Sequence, residues 1–193
     1  SYLRALPNMS VAMPKDANEM QAMLKKALEL GGPKAIRWPR GKVDTITQPL
    51  AEADIAWGSW EILKEGSDAY ILGLGPMLEY ALKATKDNAR VGVVNARFIK
   101  PLDEPMLLSL AKQVSTLITV EDHVLQGGLG SAISEVLTDH NVRVSLVRLG
   151  IPDVHVHHGD PATQHETLGY GPKAIQKKLQ DLGLTQVLAK ASD

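Results

Sequence analysis

The sequence predicts an α/β fold: a mainly parallel, twisted sheet with helices on both faces, preceded by a β-α-β piece of a second α/β domain. Short apolar runs rich in β-branched residues recur along the chain, and amphipathic helical patterns separate them. Strands that are apolar throughout are buried on both faces, as parallel strands are in α/β proteins. Residues 43–56, which show no clear hydrophobic period, separate the small piece from the larger one.

The β-α-β piece lies at the start of the chain. Met9–Met13 is the first predicted strand, and Asp16 with Glu19 three positions later resembles a capping box at a helix start. This helix ends at Gly31–Pro33, and Lys34–Trp38 is the next predicted strand. The apolar residues expected to share one face of the helix are Met20, Leu24, Ala27 and Leu28. A piece of this size is too small to form a core alone.

The whole chain divides into three parts by this pattern. Residues 1–42 belong to the first α/β domain, residues 43–56 form a linker with prolines and scattered carboxylates, and residues 57–193 form the second domain. The strands predicted in the second domain are 69–74, 91–94, 115–120 and 142–149, and helical patterns occur around 78–82, 107–111, 133–137 and 175–182. This alternation is typical of parallel strands joined by right-handed crossovers.

Composition argues against several classes of function. The 193 residues carry 21 basic and 22 acidic side chains, so nothing indicates electrostatic binding to nucleic acid or to an anionic membrane. No cysteine is present, which excludes disulfides and thiolate metal sites. No apolar run approaches the roughly 18 residues of a membrane span, and the first residues carry no signal-peptide pattern. A soluble, cytoplasmic protein is expected.

Two arginines close to a predicted strand end are candidates for binding an anion. Arg37 and Arg40 follow a short apolar run, with Trp38 and Pro39 between them and Gly41 behind. A guanidinium group presents a planar fork of donors that matches phosphate oxygens. Strand alternation places Arg40 on the face opposite to Arg37. Taken alone, such arginines more commonly pair with surface carboxylates.

Two motifs come after predicted strands. Gly127–Ser131 opens a helix, where backbone N–H groups can hold a phosphate, but it lacks the last glycine of the dinucleotide fingerprint. We therefore favour a tight turn with close helix–sheet approach. Glu121, Asp122 and His123 lie at a strand end, where a carboxylate beside a histidine could do acid–base work. Residues adjacent in an extended segment rarely face each other, so helix capping and subunit contact are the favoured roles.

A histidine cluster is the one feature of the sequence that suggests a metal. His155, His157 and His158 lie near Asp153 and Asp160, and His155 and His157 would face the same way in an extended segment. No matching ligand set occurs elsewhere in the sequence, so no metal site is expected.

Collinear motifs over nearly the whole chain resemble the 1-deoxy-D-xylulose-5-phosphate synthase family of the transketolase superfamily. The motifs that carry the resemblance are Ser1–Met9, Trp38–Gly41, Arg97–Glu104, Thr119–His123, Gly127–Ser131, and Gly150–Asp153 with His158-Gly159. Trp38 departs from the pattern, since the family usually has tyrosine there. The resemblance implies that the chain covers the end of the pyrimidine-binding domain and the whole C-terminal domain.

The resemblance also implies a function for the parent enzyme. That enzyme condenses pyruvate with D-glyceraldehyde 3-phosphate, releases carbon dioxide, and works as a homodimer with thiamine diphosphate and Mg²⁺. In the superfamily a Gly-Asp-Gly motif holds the cofactor through magnesium, whereas here Gly159-Asp160 is followed by Pro161. The cofactor site and the catalytic residues are therefore expected upstream of Ser1, with none in this chain. Arg40 is expected to clamp the substrate phosphate, and Arg37 is a weaker candidate.

The expected role of the chain is thus that of a fragment, inactive alone, that supplies an arginine and a structural, dimer-forming domain. Three alternatives stay open: a transketolase acting on sugar phosphates, the β-subunit of a 2-oxoacid dehydrogenase, and a non-enzymatic dimerisation module. The 2-oxoacid dehydrogenase passes its acyl group to a lipoyl group and would not need a phosphate clamp at Arg40.

Overall fold

The computed structural model describes residues 1–39 and 55–185, which form two sheets. The strands are β1 (Ser10–Ala12), β2 (Lys34–Ile36), β3 (Glu61–Lys64), β4 (Ala69–Gly73), β5 (Val91–Asn95), β6 (Phe98–Lys100), β7 (Thr116–Val124) and β8 (Ser145–Ile151). The helices are α1 (Tyr2–Ala5), α2 (Ala17–Glu29), α3 (Met77–Ala84), α4 (Glu104–Gln113), α5 (Leu129–Asp139), α6 (Pro161–Thr167) and α7 (Pro172–Asp181).

The first sheet has the strand order β2-β1-β6. Strands β1 and β2 are parallel and are connected by α2, so the predicted β-α-β piece is confirmed. Helix α2 begins as predicted, because the Asp16 carboxylate accepts a hydrogen bond from the Glu19 amide at 2.9 Å. The sequence did not predict β6, which belongs to the later part of the chain and pairs antiparallel with β1. It also did not predict α1, α6 or the edge strand β3.

The second sheet has the order β3-β5-β4-β7-β8. Strands β4, β5, β7 and β8 are parallel, and β3 is antiparallel at one edge. Tyr70 and Leu72 of β4 point into a core with α4 and α5, whereas Ile71 of the same strand points into a second core with α3 and α7. Helices therefore cover both faces, and the predicted fold class is confirmed.

Helix α2 buries a different face from the one the apolar pattern indicated. Ala22 and Met23 are buried in the first core, and Glu19 is buried beside them. Leu24 and Leu28 do share a face as predicted, but their side chains are 46% and 81% exposed. Glu19 decides which face of α2 is buried, because its carboxylate forms hydrogen bonds with the later part of the chain. The number of apolar residues on the opposite face matters less.

Buried charges join the two parts of the molecule. The Glu19 side chain is fully buried, and its Oε1 accepts hydrogen bonds from Asn95 Nδ2 at 2.8 Å and Arg97 Nη1 at 3.0 Å. Its Oε2 accepts from the Lys15 amide at 2.6 Å. The Lys15 ammonium group is also buried and pairs with Glu19 at 3.4 Å and with Glu61 of β3. Two cations and two carboxylates thus meet in this cluster.

The predicted linker spans residues 43–56, and its residues 43–54 lie outside the described part of the chain. Its penultimate residue, Ile55, is 1% exposed and packs in the first core. Among the described residues, no helix is long and apolar enough to cross a membrane.

Candidate functional site

The carboxyl ends of β4 and β7 lie side by side, and the chain leaves them in opposite directions. Strand β4 leads to α3 in the second core, whereas β7 leads to α5 in the first core. In open α/β sheets, the crevice at such a reversal is the usual place for a ligand. Two clefts border this reversal, one of about 400 Å³ and one of about 450 Å³.

The first part of the chain fills part of this crevice with Met13. The Met13 side chain is 2% exposed, and its amide donates to the Arg97 carbonyl at 2.9 Å. Gly75, just after β4, has φ +58°, and a Cβ added there would lie 2.6 Å from Met13 Cε. Glycine is thus required at this position both for backbone conformation and for the close approach of Met13.

Of the two candidate arginines, Arg37 lies within the described residues and Arg40 does not. Arg40 lies outside the described residues, so its phosphate role stays a prediction. Arg37 directly follows β2, and its amide donates to the Ala12 carbonyl at 2.9 Å. Arg37 lines both the 400 Å³ and the 450 Å³ cleft, and its guanidinium group pairs with Asp122 at 3.4 Å. Arg37 therefore has a carboxylate partner from β7, 85 positions away in sequence.

Asp122 is held on its other side by a buried tyrosine. Asp122 Oδ1 accepts a hydrogen bond from the Tyr170 hydroxyl at 3.0 Å, while Oδ2 faces Arg37. Burial is the largest cause that raises the pKa of Tyr170, so this hydroxyl keeps its proton and donates. His165 Nε2 lies 3.8 Å from Asp122 Oδ1, and His165 Nδ1 lies 3.1 Å from the Tyr80 hydroxyl. These contacts form a continuous network of polar side chains along one side of the 450 Å³ cleft.

Glu121 caps the start of α5, as the helix-capping part of the favoured interpretation predicted, while the subunit contact stays a prediction. Its side chain is fully buried, and it accepts hydrogen bonds from the Leu129 amide at 2.8 Å and the Gly130 amide at 3.0 Å. Burial raises the pKa of Glu121, while these two amides and the nearby His123 act to lower it. A carboxylate at a helix N-terminus also interacts favourably with the helix dipole.

The Gly127–Ser131 motif is a tight turn, as predicted, and the reason lies in Glu121. The Glu121 carboxylate leaves no room for a Cβ at Gly128. A Cβ at Gly130 would lie 2.8 Å from Thr119 Oγ1, so the helix approaches the sheet closely there. The helix N-terminus that could hold a phosphate is already occupied by a side-chain carboxylate.

Glu121, Asp122 and His123 do not converge on one point. Glu121 and His123 line the 400 Å³ cleft, whereas Asp122 lines the 450 Å³ cleft on the other side of the strand. His123 Nδ1 contacts the carbonyl of the adjacent Val124 at 2.7 Å. This separation follows from the alternation of side chains along an extended strand.

The histidine cluster that the sequence singled out lies within the described residues. His155 and His157 do lie on the same side, with ring centroids 5.2 Å apart. Over residues 1–39 and 55–185, however, no group of three or more His, Asp or Glu side chains is arranged to hold a metal ion.

Comparison with protein-family models identifies both parts of the molecule. Residues 58–175 match the model described as the transketolase C-terminal domain, and residues 1–45 match the transketolase pyrimidine binding domain. The chain belongs to the transketolase family. The first of these matches covers the five-stranded sheet together with α3 to α6 and the start of α7.

Similar curated proteins extend over almost the whole chain. A 1-deoxy-D-xylulose-5-phosphate synthase of Thermus thermophilus is 48% identical over 191 residues, which is 99% of this chain and 31% of the relative. Proteins with the same name from a Synechococcus species and from Symbiobacterium thermophilum are 42% and 40% identical over 93% and 94% of the chain. The chain spans about a third of the length of these relatives, 29% in the last two.

Solved structures show the same fold. A split-gene transketolase, described as an inactive β4 tetramer, superimposes with a TM-score of 0.82 at 33% identity, over 95% of this chain and 60% of its own. A Pichia stipitis transketolase variant superimposes with a TM-score of 0.71 at 19% identity, over 93% of this chain and 26% of its own. The second likeness concerns the fold alone.

Proposed function

We propose that this chain is the C-terminal third of a 1-deoxy-D-xylulose-5-phosphate synthase, a cytoplasmic, homodimeric enzyme. The proposed reaction joins pyruvate to D-glyceraldehyde 3-phosphate with loss of carbon dioxide. The observation that carries the proposal is the 48% identity to a relative of that name, which extends over 99% of the chain and hence over both of its parts.

In this proposal the residues of this chain bind and orient, and the decarboxylation chemistry comes from thiamine diphosphate held by Mg²⁺ elsewhere in the enzyme. Residues 55–185 contribute most of the side chains of the two apolar cores. Arg37 directly follows β2, and Arg40 lies three positions further along the chain. Arg40 is the proposed phosphate contact. Arg37 is the weaker candidate because Asp122 already neutralises it.

The substrate assignment is tested with the full-length enzyme. We expect carbon dioxide release from pyruvate to depend on D-glyceraldehyde 3-phosphate and to yield 1-deoxy-D-xylulose 5-phosphate, identified by mass spectrometry. Transfer of a two-carbon unit from a ketose phosphate instead would indicate a transketolase. Acyl transfer to a lipoyl group would indicate a 2-oxoacid dehydrogenase.

The phosphate role of Arg40 is tested by Arg40→Ala in the same enzyme. Loss of a charge-assisted hydrogen bond costs about 1.5–3 kcal/mol, so kcat/KM for glyceraldehyde 3-phosphate should fall at least roughly tenfold. The KM for pyruvate should barely change, and Arg40→Lys should recover part of the loss. An unphosphorylated aldehyde is the control, and its kcat/KM should be the same for Arg40→Ala and the wild type. Equal losses with both aldehydes would leave Arg40 without a phosphate role.

The proposal also requires that the 193-residue chain is inactive alone. Calorimetric titration of the purified chain with thiamine diphosphate and Mg²⁺ should show no micromolar binding, and pyruvate should not be consumed. Binding at that level would contradict the assignment of the cofactor site to the rest of the enzyme.

A further inference from the structure

A histidine that the proposed reaction does not use lines the 450 Å³ cleft in a fixed orientation. The His165 side chain is 13% exposed, and its ring packs on the ring of Tyr170 with centroids 4.8 Å apart. The Tyr80 hydroxyl lies 3.1 Å from His165 Nδ1. Burial raises the pKa of Tyr80, so this hydroxyl keeps its proton and donates a hydrogen bond to Nδ1. The neutral ring then carries its own proton on Nε2, as a hydrogen-bond donor.

This Nε2 donor lies close to a carboxylate without reaching it. The distance from His165 Nε2 to Asp122 Oδ1 is 3.8 Å, which is longer than a hydrogen bond. An oxygen atom that accepts from Nε2 and donates to Oδ1 fits between the two atoms, and a hydroxyl group does both. The Tyr170 hydroxyl already donates to Oδ1 at 3.0 Å and holds the carboxylate in place. Both partners of the added hydroxyl group are thus fixed in advance, which lowers the entropic cost of binding.

The charges along the cleft favour a neutral ligand. Arg37 and Asp122 line it as an ion pair at 3.4 Å. Glu79 lines it as well and pairs with Lys83. An added anion would lie near two carboxylates, and an added cation would lie near a guanidinium group. Arg37 can still donate to a neutral acceptor, because a guanidinium group has five N–H donors and its contacts with Asp122 and Met13 use two.

Apolar side chains complete the lining of the cleft. They are Met13, Pro76, Met77 and Pro161. The carbon skeleton of a sugar or a sugar alcohol can pack against such side chains, while its hydroxyl groups need the donors and acceptors beside them. The cleft volume of about 450 Å³ lies within the usual range of small-molecule sites, about 300–1,000 Å³.

We propose that the 450 Å³ cleft binds a small neutral compound with neighbouring hydroxyl groups, that is, a sugar or a sugar alcohol. One hydroxyl group bridges His165 Nε2 and Asp122 Oδ1, and the next accepts a hydrogen bond from Arg37. All three residues lie within the described part of the chain. The site does not depend on the reaction proposed above, and each can fail without the other.

The test uses the 193-residue chain with sorbitol as the probe. The matched probe is 1-hexanol, which has the same carbon skeleton but a single hydroxyl group. Saturation-transfer NMR should show sorbitol binding with a millimolar dissociation constant, and 1-hexanol should not compete with it. No binding of sorbitol would leave the cleft to water and overturn the proposal. Displacement of sorbitol by 1-hexanol would indicate an apolar groove, and displacement by inorganic phosphate at constant ionic strength would indicate an anion site. Either result would also overturn it.

Two substitutions locate the bound sorbitol. His165→Phe keeps a ring against Tyr170 but removes the Nε2 donor. Asp122→Asn keeps an acceptor for the Tyr170 hydroxyl but removes the charge of the carboxylate. Each should raise the dissociation constant for sorbitol about three- to tenfold, as expected for one weakened hydrogen bond. Thermal unfolding checks that both variants are folded, and Asp122→Asn decides alone if His165→Phe is not.

Matched controls for these substitutions are His140→Phe and Asp68→Asn. His140 Nε2 lies 3.5 Å from a Glu104 oxygen, and Asp68 pairs with Arg90 at 2.7 Å. The Asp68 side chain is 33% exposed, close to the 31% of Asp122. Neither control residue lines the cleft, so both control variants should bind sorbitol as the wild type does. If the two test variants also bound sorbitol like the wild type, the ligand would lie elsewhere and the proposal would be wrong.

Discussion

The two parts of the molecule are held together by different interactions. Residues 55–185 bury apolar side chains on both faces of a five-stranded sheet, in two cores. Residues 1–39 contribute few side chains to a core, and their fully buried set includes the charged Lys15 and Glu19. The larger part is thus stabilised mainly by apolar burial. The smaller part depends on buried ion pairs and on β6, a strand of the larger part that completes its sheet.

The largest effect is expected from Glu19→Gln. This change removes the negative charge that neutralises Lys15 and Arg97 in a buried site, and breaking such a pair costs about 3–5 kcal/mol. Urea unfolding of the 193-residue chain measures the loss. Glu29→Gln on the same helix is the control, because its pair with Lys26 is exposed and should change the free energy of unfolding by less than about 0.5 kcal/mol. Equal effects would show that the buried charges do not join the two parts.

A similar loss in the larger part should come from apolar truncation. Leu78 of α3 is fully buried in the second core, so Leu78→Ala should lower the free energy of unfolding by about 2–5 kcal/mol. Leu28→Ala in α2 removes the same atoms from a side chain that is 81% exposed, and the change should stay within about 0.5 kcal/mol. If Leu28→Ala lowered the free energy of unfolding by as much as Leu78→Ala, this face of α2 would be buried in solution. That result would contradict the difference between the two parts.

An intermediate effect is expected where the two parts touch. Gly75→Ala places a Cβ against Met13 at a residue with φ +58°, which should cost about 1–3 kcal/mol. In a Met13→Ala background the steric part disappears, so the added cost of Gly75→Ala should fall to the backbone strain of about 1–2 kcal/mol. Additive costs in the double-mutant cycle would show that Met13 does not press on Gly75.

The smallest effect concerns pH. Burial raises the pKa of Glu121 above its ordinary value of 4.5. The folded state then holds this proton more strongly than the unfolded state. The contribution of protonated Glu121 to the free energy of unfolding is therefore complete below about pH 4.5, and it is lost as the pH rises through the raised pKa. Glu121→Gln should remove this dependence, so the difference in unfolding free energy between wild type and variant should change over that window. A pH-independent difference would contradict the raised pKa.

The sequence was sufficient for the features that depend on local patterns. The parallel strands, the Asp16 cap and the role of Glu121 follow from apolar runs and from capping preferences. Strand β6 was not predicted because Phe98–Lys100 is too short to show a period. The strand forms because β1 has an unpaired edge that only the folded chain brings within reach.

The site was predicted less completely than the fold, because its contacts are long-range. Arg37 was singled out by the sequence, but its pairing with Asp122 joins residues 85 positions apart. The charged partners of Glu19 lie up to 78 positions away, and so the apolar pattern of α2 indicated the wrong buried face. A sequence pattern reports which residues share a face, and tertiary contacts decide which face is covered.

Strand β6 has a consequence for protein engineering. It is covalently part of the larger segment, yet its hydrogen bonds lie in the sheet of the smaller one. If the backbone is opened between positions 40 and 54, the two products should stay associated, because strand addition and the buried charges of Glu19 and Arg97 do not depend on the intervening peptide. The first 39 residues then behave as one half of a complementation pair, which can be exchanged, labelled or supplied in trans.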